Sequence, residues 1–170
     1  MTDCPLPWRF PFQRDAPRHR EVLRPIVSVQ LGAFDLSVPA KALVDSGSEH
    51  ILAEPWLASD IQVDLRNAHH VRRLRIGGEN PEVKFVDVRV RLLHPEGDDD
   101  DFIEWSTEVG FPERWRAPWP VLLGQHGFFD QFTISMHRSA ALTVVEEWGA
   151  FDARFGVPPD ETKPAPRRTL

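Results

Sequence analysis

Cysteine is almost absent: Cys4 is the only one among 170 residues. A single thiol excludes an internal disulfide and a thiolate zinc centre. Long apolar runs are missing as well, and nothing approaches the roughly 18 residues that a spanning helix needs. The opening Met1-Thr2-Asp3-Cys4-Pro5-Leu6-Pro7-Trp8-Arg9 lacks the apolar stretch of a secretory signal. These absences predict a soluble, cytoplasmic protein with no membrane partner. Basic charge is in deficit, with 20 Lys and Arg against 26 Asp and Glu and a net charge of -6 at pH 7. Such a chain repels phosphate backbones, so no nucleic-acid partner is expected. Helical periodicity is scarce and no internal repeat is present. Metal-ligand spacing is missing too: among 7 histidines the close pair is His69-His70, with no His-Glu-x-x-His, and it reads as a solvated loop. No metal and no cofactor is expected.

What is present is enough apolar material for one domain, at 41% hydrophobic residues. The 16 prolines cluster toward the two ends. They divide the chain into a proline- and arginine-rich arm over 1–22, a domain over 23–150 and a flexible tail over 151–170. Proline fixes φ and removes a donor, so both ends read as extended, solvated arms or as clasps for a partner.

Within the domain the apolar period is two. Val27, Val29 and Leu31 alternate with Ser28 and Gln30. Val86, Val88, Val90 and Leu92 alternate with Asp87, Arg89 and Arg91. The same holds for Ile103, Trp105, Thr107 and Val109, and for Phe132, Ile134 and Met136. Each is a half-buried strand with one face on a core. Turns are expected at Gly32-Ala33, at Gly77-Gly78-Glu79-Asn80-Pro81 and at Pro95-Glu96-Gly97, which runs into Asp98–Asp101. That acidic run reads as a charged hairpin tip rather than a calcium loop. Short helices are expected at Glu54–Ser59, where Pro55 suits a first turn, and at Gln125–Gln131. Val145–Phe155 adds a terminal strand or a short helix.

The most informative stretch is Ala42-Leu43-Val44-Asp45-Ser46-Gly47-Ser48. Three apolar residues deliver a carboxylate at a strand end, and Gly47 lets the backbone turn sharply. By composition, Asp-[Ser/Thr]-Gly arises in about one chain in ten of this length, and with the apolar triplet in about one in a hundred, so taken alone the motif balances a functional site against a chance turn. A second apolar strand, Val121-Leu122-Leu123-Gly124, follows, then Phe128-Phe129-Asp130.

Together these elements resemble the retropepsin-like aspartic proteases. That family pairs an apolar-apolar-Asp-[Thr/Ser]-Gly-[Ala/Ser] turn with a downstream apolar-apolar-Gly strand and a short helix. A glycine-bearing hairpin flap lies between, here Ile76-Gly77-Gly78. The resemblance implies a mainly β, single-lobed acid protease barrel with a β-hairpin flap and one short helix. It implies that Asp45, Ser46 and Gly47 are catalytic, with Asp45 paired to its copy in a homodimer. Ser46 would brace the two turns. It also implies that Ser48, Glu49, His50, Ile76, Gly77, Gly78, Leu122 and Leu123 line the site for a peptide or protein substrate. Gln125 stands where viral members carry an arginine.

Other chemistries fit less well. Ser48 and His50 do not form a Gly-x-Ser-x-Gly elbow. Gly77-Gly78 lacks the lysine and helix of a phosphate cradle. Trp105, Trp115 and Trp119 fill a core or line a cleft. A noncatalytic dimerisation or peptide-binding module of the same fold is the alternative reading.

Overall fold

The computed structural model describes residues 7–15, 22–96 and 101–155. Cys4, the remainder of the first arm (1–6 and 16–21), Asp98–Asp100 of the acidic run, and 156–170 lie outside the described residues. In chain order the elements are β1 (Trp8–Pro11), β2 (Gln13–Asp15), β3 (Val22–Arg24), β4 (Ile26–Ala33), β5 (Leu36–Val44), β6 (Leu52–Ala53), α1 (Pro55–Asp60), a 3-10 turn (Leu65–Asn67), β7 (His70–Arg73), β8 (Glu82–Leu93), β9 (Phe102–Pro112), β10 (Val121–Leu123), β11 (Thr133–His137), β12 (Leu142–Glu146) and α2 (Trp148–Phe155). The fold is mainly β, as the alternation predicts.

One sheet runs β4-β5-β10-β6-β9-β8-β7, and β4 also pairs with β8. That extra ladder closes six strands into a barrel, which leaves no free edge among them. Strand β8 makes this work by its length. Its first residues, Glu82–Phe85, pair with β7, and Arg89–Leu92 pair with β4 on the same flank. Strand β7 is therefore a spur that forks away from the barrel.

Period-two patterning decides what is buried. Val27, Val29 and Leu31 of β4 and Val86, Val88, Val90 and Leu92 of β8 turn into the main core, joined by Ile51, Phe111, Phe128 and Leu123. The opposite face of β8 is apolar at its two ends: Val83 and Phe85 join Leu52 and Leu122 in a second cluster, and Leu93 is buried at the far end. Gly110 of β9 is required there, because a Cβ would stand 2.8 Å from both Leu52 Cδ2 and Val83 Cγ1.

Several expectations are corrected. Residues 8–11, assigned to the solvated arm, form β1 and pair with β12. Trp8 and Phe10 are 3% and 4% exposed in the main core, since two large apolar side chains gain more by burial than the flanking prolines cost in donors. The hairpin between β4 and β5 turns at Phe34-Asp35, two residues past Gly32-Ala33. The expected helix Glu54–Ser59 appears as α1, shifted by one residue. Gln125–Gln131 is a run of turns instead of a helix. Gly127 there has φ +97°, and its N-terminal bonds span five residues, from Phe129 N–H to Gly124 O and from Asp130 N–H to Gln125 O. Val145–Phe155 supplies both the strand and the helix: β12 ends at Glu146, and α2 begins at Trp148. Residues 151–155, assigned to the tail, therefore belong to α2, and the described residues hold two α-helices. Glu146, 2% exposed, accepts from Arg154 of α2 at 2.5 Å, which ties that helix to the sheet. No helix among the described residues is long and apolar enough to cross a membrane.

Candidate active site

Strand β5 ends at Val44 and releases Asp45 beside β10, its parallel neighbour, with Leu122 opposite Leu43 and Leu123 opposite Val44. The ladder continues one step into the turn, where Asp45 N–H donates to Leu123 O at 3.0 Å. Ser48 N–H then closes the turn on Asp45 O at 3.1 Å, and Gly47 N–H donates to Asp45 Oδ1 at 2.9 Å. The carboxylate is half-buried in the single chain, less covered than the buried strand suggests, and Ser46 and Gly47 are exposed. A backbone donor fixes one carboxylate oxygen, so the turn itself orients the acid.

The far side of the turn is held as firmly. Gln125 N–H donates to Ser48 O at 2.9 Å, His126 N–H to Glu49 O at 2.8 Å, and Ile51 N–H to His126 O at 3.2 Å. Between these bonds the two backbones are so close that a Cβ on Gly124 would lie 2.2 Å from His50 O and 2.6 Å from Ser48 O. The glycine that ends Leu122-Leu123-Gly124 is there because nothing larger fits. Gln125 adds a side-chain brace, Nε2 donating to Ser46 O at 2.8 Å. A role for Gln125 was not evident from the sequence, since the partner lies 79 positions away.

The expected cleft residues divide by strand parity. Leu123 is fully buried in the main core, so it is a packing residue and not a cleft residue. Leu122 points the other way into the second cluster, where Leu43, Leu74, Ile76, Trp115 and Ala117 also pack. Ile76 and Glu79 bridge each other across Gly77-Gly78, whose φ values of +58° and +87° describe a type I′ tip. The hairpin expected at Ile76-Gly77-Gly78 is thus present. Its Ile76 reaches the apolar cluster that holds Leu122, while its glycines are exposed. Of the three tryptophans, Trp105 is a core residue whose Nε1 donates to Gly127 O at 2.7 Å, and Trp115 joins the cluster and donates to Trp119 O at 3.0 Å.

Ser48 does not engage the His50 ring: its Oγ donates to the His50 carbonyl at 2.7 Å, which removes the serine–histidine reading. The imidazole of His50 packs edge-on to Phe85 at 4.9 Å and beside His126 at 5.2 Å. Burial pushes its pKa below the ordinary value; Glu49, 3.6 Å away, opposes that effect, and His126 and Arg72 add to it. Glu49 itself is 65% exposed.

The sequence matches no protein-family model and no curated protein. Solved structures similar to it include the following two. A retropepsin-like aspartic protease from Rickettsia conorii aligns over 71% of this chain and 87% of its own, at 12% identity and a TM-score of 0.44. The retroviral protease-like domain of Ddi1 from Leishmania major aligns over 72% and 93% respectively, at 16% identity and a TM-score of 0.41. These are likenesses of backbone arrangement and carry no residue's role across.

Proposed function

We propose that the chain is an aspartic endopeptidase that acts as a homodimer, with Asp45 from each copy facing the other. The observation that carries this reading is the Asp45-Ser46-Gly47 turn, which presents a half-buried carboxylate oriented by Gly47 N–H and clamped between β5 and β10. The chain has one such turn, so a pair of acids requires two chains. Two like charges a few ångströms apart repel, so the paired carboxyl groups share one proton. The ionised member takes a proton from a bound water, which attacks the scissile carbonyl. The protonated member donates to the carbonyl oxygen. Ser46 braces the paired turns. The substrate lies extended over Leu122 and Ser48, beneath Ile76-Gly77-Gly78, in the manner of an added strand. No covalent intermediate is needed.

Asp45→Asn tests the reading. The variant is expected to keep its thermal stability and its association state while losing cleavage of a proteome-derived peptide library at mildly acidic pH. Undiminished cleavage by that variant removes Asp45 from the mechanism. A peptide-binding module without hydrolysis is the second reading, favoured by the exposure of Ser46 and by a carboxylate whose hydrogen-bond donor among the described residues comes from its own turn. Peptide capture by wild type with no new termini would select it.

A further inference from the structure

We propose that His69, Asp87 and Glu108 form a binding site for one divalent transition-metal ion of the zinc class. The sequence hides this cluster, since its members are 18 and 21 positions apart, and the β-ladders assemble it. Asp87 of β8 and Glu108 of β9 are direct partners across the sheet. Both are exposed, on the β8–β9 face opposite the main core. Like charges directly opposite on a ladder are destabilising. Among the described residues, the ion-pair partners of these two carboxylates are imidazoles, not lysine or arginine: His69 Nδ1 lies 3.7 Å from Asp87 Oδ2 and 3.9 Å from Glu108 Oε1, and His70 Nδ1 lies 3.4 Å from the same Glu108 oxygen. The group therefore brings carboxylate oxygens and imidazole nitrogens together, the donor atoms that divalent transition metals take. A cation is what such a group accommodates.

The distances suit a small ion. One donor atom from each of His69, Asp87 and Glu108 lies within 4.8 Å of the others. Tetrahedral bonds of about 2.0–2.2 Å place donors roughly 3.4 Å apart, so closure asks for movements of a few tenths of an ångström at the His69 contacts and of no more than about 1.4 Å between the two carboxylates. All three side chains are exposed and free to make them. An imidazole with two carboxylates selects a borderline ion over magnesium or calcium, which take oxygen donors. Three protein ligands leave a fourth position for water. His70, stacked on Phe85 at 4.7 Å, is placed to hold Glu108 as an outer-sphere partner.

The site sits at the fork where β8 passes from β7 to β4, with His69 N–H bound to Phe85 O at 2.8 Å. An ion there ties the root of the Gly77-Gly78 hairpin to the barrel wall. The inference stands on these residues and is independent of the proposed hydrolysis.

The test is calorimetric titration of tag-free, chelator-stripped full chain with zinc chloride, with magnesium chloride as control and a thermal melt of each sample. Wild type is expected to bind one equivalent of zinc with a rise in melting temperature, and magnesium to produce neither. Asp87→Asn and His69→Ala are each expected to weaken zinc binding at least about tenfold, the lower end of what even an outer-sphere partner costs. Asp87→Asn is also expected to raise the melting temperature of the metal-free chain, because it removes the facing charge. Absence of saturable zinc binding in wild type, an equal response to magnesium, or wild-type affinity in either variant overturns the proposal.

Discussion

Two glycine sites in this molecule solve opposite problems. Gly124 lies where two backbones press together, and a methyl group there would stand 2.2 Å from His50 O. Gly77 and Gly78 meet nothing within 4 Å and are present for their φ of +58° and +87°. The first site belongs to a turn held from several sides by backbone bonds, the second to a spur held at its tip by its own Ile76–Glu79 bridge and at its side by Ile76. A carboxylate that must meet a partner with little positional error belongs on the first kind of support. A segment that must open and close over a substrate belongs on the second.

Substitutions can break or sharpen this contrast. The largest effect is expected from Gly124→Ala, on the order of 3 kcal/mol of lost stability by denaturant unfolding, because rigid backbone has nowhere to move. A variant of wild-type stability would mean that the Asp45 turn is not clamped as described. Gly77→Ala is expected to cost about 1–2 kcal/mol, the strain of a left-handed residue, and Gly77→Asn close to nothing, since Asn-Gly suits a type I′ tip. Equal losses from the two would show that space and not φ constrains the tip. Gln125→Ala removes one partly solvated bond to Ser46 O and should cost about 1 kcal/mol while loosening the turn. The smallest effect concerns pH. Burial lowers the His50 pKa in the folded chain, so below the ordinary value of 6.5 the unfolded chain takes up more protons, and stability falls as pH falls through that point toward the folded value. His50→Gln should flatten this part of the stability curve; parallel curves for the two proteins would remove His50 as its source.

Much of the barrel was legible because burial on one face writes a period of two. Val27, Val29 and Leu31, and Val86, Val88, Val90 and Leu92, all fall where that period places them. The rule fails at Met136, 43% exposed at a position expected to face inward, near the end of β11. Strand β1 was illegible because two apolar residues among prolines are too short a pattern to outweigh the breakers. The Asp45 turn was legible because its chemistry is local, as was the hairpin tip. What stayed hidden is nonlocal: the brace from Gln125, the division of Leu122 from Leu123 by parity, and the meeting of His69 with Asp87 and Glu108. Each depends on which strands become neighbours, and spacing along the chain does not encode that.

The central claim is that each active site takes one Asp45 from each of two chains. Subunit mixing tests it most directly: wild type and Asp45→Asn are combined at constant total concentration, allowed to exchange, and assayed against one cleaved peptide. If both acids are required, activity follows the square of the wild-type fraction, and an equal mixture retains about a quarter of full activity. A linear decline, with about half remaining, would mean that each chain works alone and would contradict the account.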